Sequence, residues 1–383
     1  MDDLTGRGFA TRCVHGAGPA DPVTGAVVPP ISVSSTFAQD GVGGLRAFEY
    51  ARSGNPTRAA LEAHLAALEG ATHGFAFASG LAAEDALLRT VAPGEHVLMP
   101  DDAYGGTVRL ALQVHAPAGT HVDTVELSDL DSVAAAWQPH TRMVWVETPT
   151  NPLLAIVDIA AICELAHDRG AVVVVDNTFA TPALQQPLAL GADAVVHSTT
   201  KYLDGHSDVI GGFVATSHER LAERVGFLQN AAGAVPGPFD CYLVHRGART
   251  LHLRMERHSS TAAAVAALLV DHPAVVEVRW PGLPSHPGHD VAARQMSGFG
   301  GMVSFRLAGG EQAALDVCSR ARVFTLAESL GAVESLIEHP GRMTHSSVAG
   351  TTNEVPADLV RLSVGIEDPA DLLDDLAQAL SAA

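Results

Sequence analysis

Short apolar runs recur between residues 74 and 216, and each is closed by a cluster of polar residues. Residues 74–78, 96–99, 143–146, 171–175, 193–196 and 213–216 read as strands. Stretches of helical period lie between them. Asn55 followed by Pro56 is a helix start, an N-cap and then proline at the first helical position. Leu61, Leu65 and Leu68 mark one face of the helix that follows. Asp158 caps another helix that runs to Gly170, a usual C-terminal stop. β-Branched runs alternating with helices predict mostly parallel strands covered on both faces, an α/β fold. Ligands of such sheets bind at the carboxyl edge, which is where the polar clusters fall.

The second half alternates less strictly. A long helix is expected over 243–257, with Arg246, Arg249, Arg254 and Arg257 on a solvated or interfacial face. Strands are expected at 275–280, 301–307, 322–326 and 359–364, with helices between them and at the C-terminus, which suggests an α+β unit. Residues 1–45 have little periodicity. Pro22, Pro29 and Pro30 make this stretch an extended arm, expected to lie on a neighbouring subunit. The expected division is an arm over 1–45, a large domain over 46–245 and a C-terminal domain over 246–383, in line with a length of 383 residues.

Composition narrows the function classes. The net charge of −20 argues against nucleic acid or an anionic membrane as partner. No apolar run is long enough to span a bilayer. The start, Met1-Asp2-Asp3-Leu4, lacks the apolar segment of a secretory signal. Cys13, Cys163, Cys241 and Cys318 are widely spaced and read as reduced, cytoplasmic thiols. The nearest histidine pair, His286 and His289, is broken by Pro-Gly, so no metal is assigned.

The polar clusters carry the candidate chemistry. Lys201 follows the run 193–196 and three hydroxyls, Ser198, Thr199 and Thr200. Desolvation at a strand end lowers a lysine's pKa, and a neutral lysine forms a Schiff base with an aldehyde. The hydroxyls before it suit a phosphate, and an aldehyde and a phosphate on one molecule suggest pyridoxal 5′-phosphate, although a surface lysine flanked by a Ser/Thr turn fits this stretch as well. Ser79-Gly80-Leu81 joins a strand to a helix N-terminus, an anion site or simply a capped helix. Asp176 follows four valines. It is badly solvated without a cation such as a protonated pyridine nitrogen, although a helix cap or a structural ion pair also fits. Tyr104 lies at a turn and suits stacking on a flat cofactor or a place in the core. Tyr50 and Arg52 alternate along a loop and can aim at one target. Arg361 sits within 359–364, where it needs a carboxylate, either of a ligand or of an internal partner such as Glu367.

In order, Tyr-x-Arg (50–52), Ser-Gly-Leu (79–81), Tyr-Gly-Gly-Thr (104–107), Glu-Thr-Pro-Thr-Asn-Pro (147–152), Asp-Asn-Thr-Phe (176–179), Ser-Thr-Thr-Lys-Tyr (198–202), Glu-Ser-Leu-Gly (328–331) and Arg-Leu-Ser-Val-Gly (361–365) closely resemble the Cys/Met-metabolism family of pyridoxal-phosphate enzymes. The resemblance runs from about Thr11 to the C-terminus. It implies a fold-type I pyridoxal-phosphate enzyme, with a mostly parallel sheet in the large domain and a smaller α+β domain after it. It implies that Lys201 is the Schiff-base and proton-shuttling residue. Asp176 would pair with the pyridine nitrogen, and Tyr104 would stack on the ring and share in proton transfer. Ser79, Gly80, Leu81, Ser198 and Thr200 would hold the phosphate. Tyr50 and Arg52 would reach the phosphate of a neighbouring subunit, which implies a homotetramer built from two active dimers. Asn151, Ser329 and Arg361 would bind the substrate carboxylate, and Glu147 would position the site.

The activity implied is γ-elimination or γ-replacement on a sulfur amino acid or an activated homoserine. The Tyr104-Gly105-Gly106 turn carries glycine where methionine γ-lyases usually carry cysteine. Glu328 resembles the acid that cystathionine enzymes place near the distal amino group, and Arg109 is placed to meet a distal carboxylate. Both side chains have the alternative of pairing within the protein. These features favour a cystathionine γ-synthase or γ-lyase over a methionine γ-lyase. A transaminase and a non-catalytic binding protein on the same fold are the remaining alternatives.

Overall fold

The computed structural model describes residues 6–344 and 355–381. Seven strands form the first sheet: β1 (His73–Phe77), β2 (His96–Pro100), β3 (His121–Val125), β4 (Thr141–Glu147), β5 (Val172–Asp176), β6 (Ala194–Ser198) and β7 (Gly212–Thr216). Their order is β1-β7-β6-β5-β4-β2-β3. The run from β3 to β6 is parallel, and β7 pairs antiparallel with both β6 and β1.

Period-two alternation sorts the central strands between two cores. Met143 and Trp145 of β4 face one side, with Leu87 and Leu88 of the helix Gly80–Leu88. Val144 and Val146 face the other, with Ile159 and Ile162 of the helix Ile159–Asp168. All four strand residues are fully buried. Coverage on both faces leaves only the strand ends open to a ligand, and β4, β5 and β6 end in Glu147, Asp176 and Ser198.

Among the described residues the second sheet has five strands: β8 (Val275–Arg279), β9 (Met302–Leu307), β10 (Thr325–Leu326), β11 (Leu336–Glu338) and β12 (Leu359–Ser363), in the order β10-β11-β12-β9-β8. Only β10 and β11 pair in parallel. The helices Leu251–Asp271, Gly310–Arg320 and Pro369–Leu380 bury this sheet.

Several local expectations are met in atomic detail. Asn55 Oδ1 accepts from the N–H groups of Thr57 and Arg58. Ser79 Oγ accepts from Ala82 N. Four departures have physical causes. A short helix, Phe9–His15, lies inside the expected arm and packs Cys13 into the core. The strand β3 escaped notice because it is a partly exposed edge, His-Val-Asp-Thr-Val, with little apolar signal. The helix expected over 243–257 is two, Pro238–Ala248 and Leu251–Asp271. On the second of these, Arg254 is buried rather than solvated. Its guanidinium donates to the carbonyls of Tyr202 and Gly247, which replace its water.

The fourth departure is the strand expected over 322–326, of which only Thr325–Leu326 pairs. The buried carboxylate of Asp375 accepts instead from the N–H groups of Arg322, Val323 and Phe324. Burial pushes this carboxyl up, but the three donors outweigh burial and hold it below its ordinary value. Its stabilisation is therefore complete above the unfolded pKa of about 4 and is lost as the pH falls through the lower folded value. Asp375→Ala is expected to cost about 2 kcal/mol at pH 7. Its thermal midpoint should fall below that of the parent, and the gap should narrow in titrations taken below pH ~4.

Candidate active site

A cavity of about 310 Å³ opens at the carboxyl edge of the first sheet, where the second sheet closes over it. That is at the small end of ligand pockets. Ser79, Gly80, Leu81, Tyr104, Glu147, Asn151, Asp176, Ser198, Thr200, Lys201, Glu328, Ser329 and Arg361 all line it. Residues up to 282 positions apart in sequence thus converge on one space, from Ser79 to Arg361.

One end is built for an anion. The helix Gly80–Leu88 begins there, and the first N–H groups of a helix have no intrahelical acceptor. Gly80 is needed for the approach, because a Cβ there would lie 3.0 Å from that of Ser198. Thr200 Oγ1 accepts from Gly211 N, which fixes the hydroxyl loop.

The floor is acidic. Asp176 is 9% exposed, and its Oδ1 accepts from Thr178 N. It makes no ion pair among the described residues. Burial raises its pKa, against the hydrogen bonds of Thr178 and the charge of His197. A buried carboxylate of this kind fits a protonated ring nitrogen. Glu147 accepts from Tyr104 N and Asn151 N, both at 2.8 Å, and so ties the aromatic turn to the loop after β4. Burial, then the charge of Asp176, raises Glu147 well above the usual carboxyl value. The Tyr104 ring lies across Gly106, where a Cβ would come within 2.4 Å of it.

The cationic wall has two members. Lys201 Nζ donates to Ser329 Oγ at 2.7 Å. Burial, then the charge of Arg361, lowers its pKa to about 8. Arg361 Nη1 donates to Asn151 Oδ1 at 2.7 Å, and Nη2 donates to the Ser329 carbonyl at 2.8 Å. Ser329 thus receives both cations. It does so at φ +91°, a backbone state unusual for a residue with a side chain, and such outliers gather at functional sites. Arg361 also has an internal partner, which is not Glu367. Glu338 lies 3.0 Å away, and both side chains are at most 2% exposed. Glu367 instead accepts from Ser335 N and Oγ.

Three expected site residues lie outside this cavity. Arg52 donates to the carbonyl and the side chain of Asn230 and sits 5.6 Å over the Tyr50 ring. Tyr50 is 46% exposed. Arg109 is on the exposed side of the helix Gly105–Leu110. Sequence reasoning missed Glu338 and Glu84. An acid in the apolar Leu336-Ile337-Glu338 is the same signal that singled out Arg361. Glu84 was read as a first-turn acid of a helix, yet it is buried and lines the cavity.

The residues present fit pyridoxal 5′-phosphate: an anion end, an acid floor, an aromatic cover and a lysine of lowered pKa share one cavity. The comparisons agree. The family described as Cys/Met metabolism PLP-dependent enzyme matches residues 10–381. The chain is 64% identical, over 99% of both sequences, to a cystathionine gamma-synthase of Mycobacterium tuberculosis. It is 52% identical to a cystathionine beta-lyase of Lactococcus lactis, over 97% of this chain and 98% of that one. The crystal structure of metB from Corynebacterium glutamicum superposes with a TM-score of 0.98 at 51% identity, covering 99% of each chain.

Removing one partner of a buried ion pair strands the other charge, at a cost of about 3–5 kcal/mol, whereas removing both costs much less. Glu338→Leu is expected to lower the thermal midpoint sharply. Glu338→Leu with Arg361→Met should recover most of that loss in a double-mutant cycle.

Proposed function

The chain belongs to the Cys/Met-metabolism family of PLP-dependent enzymes, and from that premise we propose that it is a cystathionine γ-synthase. The reaction joins the thiol of cysteine to the four-carbon skeleton of an O-acylated homoserine, and the acid leaves. The observation that carries the choice is identity of 64% along the whole chain to proteins of that name. The Tyr104-Gly105-Gly106 turn and Glu328 support it over a methionine γ-lyase.

When bound, pyridoxal 5′-phosphate supplies an electron sink for a carbanion at the amino acid's Cα. The protein's own groups do the rest. Arg361 and Asn151 present a cation and an amide to the substrate carboxylate, with Ser329 between them and Lys201. A guanidinium whose counter-ion is fixed behind it stays oriented when a ligand arrives. Lys201 Nζ takes the proton from Cα and returns protons to the neighbouring carbons. A pKa near 8 suits this, because both protonation states are within reach at neutral pH. Asp176 would pair with the ring nitrogen and favour its protonated form. The Glu147 carboxylate accepts from the Tyr104 backbone N–H and so holds the turn that would cover the ring. Glu328 at the wall offers its charge to the ammonium of the incoming cysteine.

We place Tyr50 and Arg52 against the cofactor phosphate of a neighbouring subunit, in a homotetramer of two active dimers. Arg52 does not line its own chain's cavity. The loop segment that carries it exposes Val23, Val27, Val33 and Val42 by 80% or more, an apolar surface suited to another copy of the chain. The cytoplasm is the compartment that suits this reading, and the four free, buried thiols fit a reducing environment. No helix among the described residues is long and apolar enough to cross a membrane.

Two measurements test the proposal. The parent enzyme should form cystathionine from cysteine and O-succinyl- or O-acetylhomoserine, with kcat/KM at least tenfold above that for cleavage of cystathionine or methionine. Lys201→Ala should abolish turnover, and faster cleavage than synthesis would overturn the assignment. Mixing inactive Arg52→Ala and Lys201→Ala chains should restore roughly a quarter of parent activity. Half of random dimers are mixed, and each of those holds one intact site. No recovery after verified exchange of subunits would place Arg52 outside the neighbour's site.

A further inference from the structure

Glu84 is the carboxyl of this cavity that the reading above leaves without a role. It lies one turn inside the helix Gly80–Leu88, is 4% exposed and lines the cavity. Its Oε2 is buried and has no hydrogen-bond partner among the described residues. The helix's pairing with its surroundings goes through the next residue instead, since Asp85 pairs with Arg89 and His115. Burying an acid with one oxygen unpartnered is costly, so its place against the cofactor cavity asks for an explanation.

The groups around it define that place. Asp176, at the end of β5, is the charge that acts on Glu84, while Thr107 of the helix Gly105–Leu110 favours its ionised form. Burial, then Asp176, raises its pKa to about 8. Glu84 in turn raises the phenol of Tyr104, second only to burial. It lines the same cavity as both the acid assigned to the ring nitrogen and the aromatic assigned to cover the ring. Of the other elements packed on this helix, β6 brings His197, which acts on Asp176. Strand β7 has no titratable side chain. The titratable residues of β1 and of the helix Glu219–Ala232 (His73, Glu219, Arg220, Glu223 and Arg224) do not line the cavity, and Arg109 is exposed.

We propose that Glu84 is a positioning residue of the cofactor-ring subsite, a second carboxyl that is neutral in the apoprotein and ionises when a protonated pyridine nitrogen settles against Asp176. Two buried carboxyls in one cavity, the charge of one raising the other, ionise together more readily with a cation between them, and a pyridinium supplies one. The O–H bond of Glu84 breaks, its proton passes to bulk water, and the negative charge stays on the carboxylate. The ring is then held by two acids. The inference rests on pyridoxal 5′-phosphate occupying this cavity, as proposed above.

The linkage has a definite sign. A bound pyridinium lowers the Glu84 pKa, so binding releases a proton at any pH between the bound and the free value. Affinity for the cofactor therefore gains a component that rises with pH and levels off above the free value. A neutral side chain at position 84 lacks that component. Contributions of Lys201 and of the phosphate are common to both proteins and cancel in the ratio of dissociation constants.

The test is the dissociation constant of pyridoxal 5′-phosphate from the full-length apoenzyme, followed by absorbance between pH 6 and 9. Parent, Glu84→Gln, Glu84→Thr and Asp176→Ala are compared. The ratio of the Glu84→Gln value to the parent value should climb about tenfold over this range for each unit by which the ring lowers the Glu84 pKa. Glu84→Thr should climb alike, whatever its offset, so either folded variant suffices. A ratio that stays flat with pH overturns the role of Glu84. Asp176→Ala separates the two ideas, because it should weaken binding at every pH. If it binds like the parent, the siting of the cofactor is wrong, whereas a flat ratio with a weakened Asp176→Ala sinks Glu84 alone.

Discussion

Desolvation at the carboxyl edge of the first sheet is the constraint on which the site depends. The strands beneath it are covered on both faces, so anything placed at their ends is taken out of water. Acids there go up and the amine comes down: Asp176 and Glu147 are raised, and Lys201 falls to about 8. The protein makes this arrangement tolerable in three ways. Backbone N–H groups hold Glu147, an arginine faces Glu338, and Ser329 links Lys201 to the loop that closes the cavity. The same dryness strengthens each electrostatic contact with a ligand.

Much of this was legible in the sequence, for a physical reason. Parallel strands buried on both faces leave continuous β-branched runs, and the polar residue that ends each run marks the binding edge. Asp176 and Lys201 announced themselves by being charged where charge is expensive. What escaped notice lacked that contrast. Strand β11 has three residues, too short for a pattern, so Glu338 could not be matched to Arg361 across β11 and β12, and Glu367 was offered instead. Arg254 looked like one of a set of exposed arginines, because backbone carbonyls of Tyr202 and Gly247, and not any acid nearby in sequence, accept its hydrogen bonds. Asp375 could not be seen capping a segment 50 residues upstream. Tyr50 and Arg52 were assigned by resemblance to a neighbouring subunit's site and Arg109 to a distal carboxylate, and none of the three lines the cavity of the single chain.

Relatives with different printed activities share this frame. A synthase and a β-lyase are 64% and 52% identical to the chain along nearly its whole length. One fold thus serves different activities, so the reaction is argued from the site's side chains and not from the scaffold.

The meeting of Lys201 and Arg361 on Ser329 has a stereochemical consequence. The lysine is borne by the loop leaving the first sheet and the arginine by a strand of the second, and one residue spans them. On the roles proposed above for Lys201 and Arg361, the gap between the amine and carboxylate positions is set by how the two sheets are docked, and it would suit groups borne on a single carbon. An amino acid with one extra methylene between nitrogen and carboxylate would have to choose which of its ends to seat.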